Sequence, residues 1–314
     1  IAIVFGWRWP FLLLGVPVAV AALFAFRIKE PPRGQWEKKA VLGEVILDEE
    51  PAPISMEAAF ARLMRIRTLR TVVIGFAALG FSLFTIPVLA SLYMEEEFGL
   101  NALERGVVTS IAGFGGLLVL PWIGQYFDRY YRRDPSESLR MIGRFIVPMA
   151  VISPLQFLMP EVISFTVFEV LRNLFAVAAF SMVTPLIQHI APYRLRGLAI
   201  ALITLYIFLI GAIGGSLTSA WLTNEYSTTV AVFVLAIPAN IVGGLTIYRS
   251  SRFIRGDLSL AVIELEEEMT DYRRRVENPD SVPVAQVSGI DFSYGDVQIL
   301  FDLSFEVHRG EVLA

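Results

Sequence analysis

The sequence predicts an all-α polytopic membrane protein that runs into the beginning of a β-rich water-soluble unit. Three observations predict it. First, 55% of the 314 residues are hydrophobic and only 18% are charged, with a mean hydropathy of +0.61. Soluble domains carry about 25% charged side chains, so this surplus cannot be hidden in one globule, and a soluble enzyme is excluded. Second, seven apolar runs approach the roughly 20 residues a helix needs to cross hydrocarbon while bonding its own backbone. Third, Lys and Arg gather in alternate connecting segments, as they do when one side of a bilayer is cytoplasmic.

The runs lie at 9–28, 71–94, 106–127, 142–159, 162–187, 197–222 and 229–248. After the first come Lys29, Arg33, Lys38, Lys39, Arg62, Arg65, Arg67 and Arg70; after the second, only Arg105 beside Glu95, Glu96, Glu97 and Glu104. Arg129, Arg132, Arg133 and Arg140 follow the third, Arg194 and Arg196 the fifth, and Arg249, Arg252 and Arg255 the seventh. The turns near Pro160 and Glu225 hold neither Lys nor Arg. This places segment 29–70 and the C-terminus in the cytoplasm, with Arg8 a mild exception. The expected location is the cell (inner) membrane.

The formal charge of −4 averages basic segments near the spans with an acidic cluster around Glu264 to Asp271, and nothing in it points to nucleic acid. With no cysteine, a disulfide framework, thiolate metal site or cysteine nucleophile is excluded. Two histidines, His189 and His308, make no metal centre. The chain opens at Ile1 inside an apolar run without the basic flank of a signal peptide. It stops at Ala314 within a strand-like pattern, so a piece of a longer protein is expected.

In segment 29–70, Glu30-Pro31-Pro32-Arg33-Gly34 ends the first span, and Asp48 to Pro53 is a polar, proline-marked linker. Met56, Phe60, Leu63 and Ile66 then recur near helical spacing among Arg62, Arg65, Arg67 and Arg70. This predicts an amphipathic helix along the anionic leaflet; the alternative is an N-terminal extension of the next span. Beyond the last span, residues 254–282 read as a charged linker, with acids around Glu264 leading and Arg273 to Arg275 trailing. From 283 the period shortens to two. Leu303, Phe305 and Val307 alternate with Ser304, Glu306 and His308, Arg309-Gly310-Glu311 turns, and Val312 begins another strand.

Gly124-Gln-Tyr-Phe-Asp128-Arg129-Tyr-Tyr-Arg132-Arg133 resembles the G-x-x-x-D-R-x-x-R-R signature of the major facilitator superfamily. Trp7 to Phe11, Glu30 to Gly34, and Pro192 to Gly197 look like further parts of that pattern, with the Glu30 boundary most similar to spinster-type members. The resemblance implies that span 9–28 is the last helix of an N-terminal half missing from this chain. Segment 29–70 would be the central loop and 71–253 the complete C-terminal six-helix half. Asp128 at a helix end can face the positive N-terminus of a neighbour, here the helix starting near Gly197, and latch an inner gate with Arg129, Arg132 and Arg133. The alternative is that these arginines only set topology.

Gly289-Ile-Asp-Phe292-Ser-Tyr294-Gly295, Leu300 to Val307, and Arg309 to Ala314 are similar to the opening of an ABC-type ATP-binding domain. That resemblance implies that Tyr294 stacks on adenine and that the parent protein uses ATP and magnesium and dimerises through its ATP-binding domains. This chain contains no G-x-x-x-x-G-K-[ST] phosphate loop. As given, it needs no cofactor and should not hydrolyse ATP.

Glu169 and Arg172 stand one turn apart inside the fifth span, with Asn173 beside them. Ionisable side chains there are expensive unless they face a cavity or a partner. Arg172 is expected to contact an anionic group of a small-molecule substrate, and Glu169 to balance it or carry a proton; the alternative is a structural ion pair. Gln156 and Asn240 read only as polar breaks in peripheral helices, and Gly211 and Gly215 as a small-residue packing face. The expected function is alternating-access transport. The rivals are an ATP-driven ABC permease, against which the short loops near Asp128 and Pro192 argue, and a membrane anchor for a regulatory nucleotide-binding module.

Overall fold

In the computed structural model, residues 6, 8–28, 55–192, 195–259, 285–294 and 297–307 are described. The expectations for 29–54, for the charged linker 260–284, for Arg194 and for the strand beyond 307 lie outside them. Two compact units divide the chain, Ile1–Ala52 and Pro53–Ala314. The first supplies α1 (Arg8–Ala25), apolar on every side and with no buried residue, as suits a rod made for lipid or a protein neighbour.

The second unit opens with α2 (Met56–Arg65). Six helices long and apolar enough to cross a membrane follow: α3 (Arg67–Glu96), α4 (Ala102–Arg133), α5 (Pro135–Gln156), α6 (Val162–Ile190), α7 (Arg196–Glu225) and α8 (Thr228–Ser250). Most overrun the apolar windows, because hydropathy marks the stretch that needs lipid while capping chemistry marks where a helix starts. At α4, Asn101 Oδ1 accepts from the Leu103 and Glu104 amides, and Glu104 accepts in return from the Asn101 amide, a closed capping box. At α5, Asp134 accepts from the Ser136 amide at 2.9 Å with Pro135 in the first turn. Ser227 does the same for α8 through Val230.

Several spans are broken inside the membrane-length stretch. α3 turns at Phe84, between helical pieces Arg67–Leu83 and Thr85–Glu96, and Thr85 donates its hydroxyl to the Phe81 carbonyl there. α5 breaks at Pro148 and α6 at Met182, three residues before Pro185, where prolines withhold an amide and crowd the preceding turn. α7 widens into a π segment, Ile207–Ala212. Its Gly211 crosses α3 at Gly80, where a Cβ would sit 2.5 Å from the Ile207 carbonyl oxygen; only two glycines allow backbones that close. Gly143 of α5 meets α8 in the same way, its Cβ position 2.8 Å from the Gly244 carbonyl.

Two buried clusters hold the unit. At the arginine-bearing end, Leu63, Leu69, Ile142, Leu186, Leu195 and Ile254 belong to one core. At the other, Ile86, Met94, Phe157, Phe165, Leu222 and Val232 belong to the second. Tyr93 stacks there on Phe165, ring centres 5.6 Å apart, with Phe98 and Phe157 edge-on to Tyr93.

α2 is a helix separate from the next span that packs in part on the protein core. Ile66 is extended (φ −71°, ψ 104°) and separates it from α3, so it is no extension of the span. Its Ala59 and Leu63 are buried within the protein core, so part of the apolar stripe is spent on packing, while Met56 and Phe60 stay exposed. The tail forms an antiparallel hairpin, β1 (Ala285–Tyr294) with β2 (Val297–Val307), pairing Ala285 with Val307, Val287 with Phe305 and Tyr294 with Val297. Phe305 and Val307 are partly buried and Glu306 is exposed, but Leu303 is exposed too.

Candidate functional site

α6 carries Glu169 and Arg172 at a spacing of three, so both project from one side of the helix. They bond each other twice: Arg172 Nη2 donates to Glu169 Oε1 at 2.5 Å and Nε to Oε2 at 3.2 Å. Gln156, at the C-terminal end of α5, donates its amide to Glu169 Oε2 at 2.5 Å. Glu169 is 4% exposed, Arg172 6% and Gln156 fully buried. A desolvated carboxylate is thus satisfied by a guanidinium on its own helix and an amide from the neighbour, which is the condition for keeping charge in a low-dielectric interior. Gln156 Oε1 is buried without a hydrogen-bond partner among the described residues, an acceptor left beside the pair.

Asn173 does not join this group through a described hydrogen bond. It is half-buried against α4, where a Cβ on Gly116 would lie 2.7 Å from its Oδ1, and Val170 presses on Gly115 in the same way. One side of α6 therefore meets α4 through Asn173 and the other meets α5 through Glu169. Asn240, expected to be only a polar break, bonds Ser82 across α3 and α8 at 3.0 Å.

The gate signature ends α4. Gly124, Asp128, Arg129, Arg132 and Arg133 are all exposed, and a Cβ at Gly124 would meet nothing within 4 Å. Asp128 makes no hydrogen bond or ion pair among the described residues. The intervening aromatic residues hold this end instead: Phe127 is buried, and Tyr131 stacks on His189 of α6 with ring centres 4.4 Å apart.

An ionic network at the same end was not foreseen. Arg255, past α8, donates to Asp134 at 2.8 Å, and the adjacent Asp257 accepts from the Thr68 amide of α3 at 2.7 Å. The Arg255 hydrogen bond holds the Asp134 carboxyl below the usual carboxylate range. Asp134-Pro135-Ser136-Glu137 is a cap signature, which marked the helix start in the sequence but not the distant arginine. At the opposite end a cavity of about 530 Å³ is lined by Ser91, Arg105, Thr109 and Ser110. There Arg105 donates to Glu95 and to the Ser91 carbonyl. The adenine-stacking expectation for Tyr294 meets only backbone, at the end of β1; the side chain lies outside what is described.

Among curated proteins there is no match. A solved structure of a bacterial homolog to the human lysosomal transporter Spinster, in an inward-facing and unoccupied conformation, is similar at 15% identity with a TM-score of 0.43. The likeness covers 80% of this chain and 60% of that one, so the match spans about three fifths of that protein's length. The family profile described as Major Facilitator Superfamily matches residues 1–215, which include α1 to α6 and the whole gate signature. With seven membrane-competent helices among the described residues, the chain is a multi-pass membrane protein and belongs to the major facilitator superfamily.

Proposed function

We propose that the parent of this chain carries a small solute across the cell membrane by alternating access between two six-helix halves, of which α3 to α8 are the second, with its C-terminus in the cytoplasm. Glu169 and Arg172 are its substrate or coupling pair. The observation that carries this is their burial within a membrane-length helix, 4% and 6% exposed, where ionisable groups persist mainly for ion and solute handling. Arg172 takes an anionic group of the solute, and Glu169 either balances the Arg172 charge or carries a proton. Asn173, on the α4 side, adds a hydrogen bond to the path, and Asp128 with Arg129, Arg132 and Arg133 works the inner gate once the other half is present.

A second reading is a structural tie between α5 and α6, and the Gln156 bond to Glu169 favours it. Uptake or efflux by the full-length protein in proteoliposomes separates the two. Under the transport reading, Arg172→Lys folds normally yet loses most solute flux; under the structural one, flux follows the amount of folded protein.

The same parent carries an ABC-type ATP-binding domain beginning near residue 283, a spinster-like permease being its membrane part. The β1–β2 hairpin supports this reading, since it pairs the two segments that resemble the opening of that domain. Running the transport assay with and without ATP tests it, with Tyr294→Ala expected to weaken nucleotide dependence and leave the membrane part folded.

A further inference from the structure

Where the last turns of α4 meet the first turns of α5, a cavity of about 260 Å³ opens. Ile123 and Met141 are apolar lining, Tyr126 and Tyr130 form one wall, and Glu137 and Arg144 stand among the lining as its charged pair. The tyrosine rings stack nearly parallel with centres 6.3 Å apart. The charges do not balance. Glu137 accepts from Arg140 at 2.8 Å through one oxygen and from Arg144 at 3.3 Å through the other, so one carboxylate serves two guanidiniums. Arg144 holds the longer bond, and its side chain is 60% exposed. A positive charge with an incomplete counter-ion therefore faces the groove.

An apolar track leads away from it. Phe114, Leu118, Trp122 and Tyr126 follow one another at four-residue steps on α4, each between 50% and 70% exposed. From Tyr126 to Phe114 this is about 18 Å of helix, a little over half of the roughly 30 Å hydrocarbon core and hence the depth of one leaflet. Cation, interfacial tyrosines and a leaflet-deep apolar stripe occur in the order in which a phospholipid presents phosphate, glycerol and acyl chain.

We propose that this groove binds an anionic phospholipid, its phosphate on Arg144 and one acyl chain along Trp122, Leu118 and Phe114. A free phosphate would use the arginine and leave the track idle. The site does not use the Glu169–Arg172 pair, but it requires that the α4 stripe face lipid and not the first six-helix half, which the Trp122→Gln arm below reads.

The test is native mass spectrometry of the full-length protein, delipidated and titrated with phosphatidylglycerol or phosphatidylcholine. Phosphatidylglycerol is retained about fivefold better. Arg144→Gln removes that preference and Arg144→Lys restores much of it. Arg252→Gln, which removes an exposed charge after α8, leaves it unchanged. Trp122→Gln weakens both lipids, and millimolar inorganic phosphate does not displace the bound lipid. Equal retention of the two lipids, a silent Arg144→Gln, or displacement by inorganic phosphate together with a silent Trp122→Gln would each overturn the proposal.

Discussion

Glu169, Arg172 and Gln156 pose the same question any buried charge poses, namely what offsets its lost hydration. Each ion loses several kcal/mol on leaving water, and the pair recovers this only while its bonds are intact. Arg172→Ala leaves a carboxylate held by a single amide and is expected to cost about 3–5 kcal/mol. The double change Glu169→Gln with Arg172→Met removes both charges and lies much nearer the parent in stability. Thermal unfolding of the purified proteins in detergent reads both; a double variant as unstable as Arg172→Ala would show that the two side chains are not coupled. Spacing alone exposed Glu169 and Arg172, because one helical turn is visible in sequence. Gln156 was invisible as their partner, since it is thirteen residues away on another helix and reaches Glu169 only when α5 and α6 pack.

Among elements, the sequence was most informative where a local rule governs. Apolar runs located each span among the described residues because the bilayer demands length, and Asn101, Asp134 and Ser227 show why the helices begin earlier than those runs. The breaks at Phe84 and Ile207–Ala212 were not legible: they arise where Gly80 and Gly211 bring α3 and α7 together. The fate of α2 was illegible for a similar reason, since an apolar stripe does not say whether lipid or protein will cover it. Asp134 has both a local and a distant role, capping α5 through the Ser136 amide and pairing with Arg255. Asn caps about as well as Asp, so Asp134→Asn keeps the first role and removes the second. Because Arg255 lowers the folded-state pKa of Asp134, its stabilisation is fully present above the unfolded carboxylate range and is lost as pH falls through the folded value. The wild type should therefore be more stable than Asp134→Asn at neutral pH, with the gap closing only in acid below the usual carboxylate range. A melting-temperature series against pH for the two proteins checks this, and a gap that widened on acidification would contradict it.

At the scale of the molecule, the exposed surface carries the argument. α4 and α7 leave Phe114, Leu118 and Trp122, and Phe208, Leu217 and Trp221, uncovered, a greater apolar area than water tolerates and one that belongs against lipid or another transmembrane half. Which way the bundle sits in that lipid is read from a different property, the gathering of arginine at one end, with Arg105 at the other held by Glu95. Arg132 and Arg133 close α4, Arg140 and Arg144 open α5, and Arg255 follows α8 on the network that ties to Asp134, whereas Asn224 and Glu225 close α7 at the other end. Cationic side chains resist translocation, so the expected outcome is a cytoplasmic Arg132 end and an outward-facing Glu225. The 314-residue chain contains no cysteine, so a single introduced thiol reports its own side. With Glu225→Cys, a membrane-impermeant maleimide should label intact cells; with Arg132→Cys, it should label only after permeabilisation. Both positions are exposed among the described residues, so the labelling reads the side of the bilayer, and the reverse pattern would invert the orientation and move the Asp128 signature to the outer face.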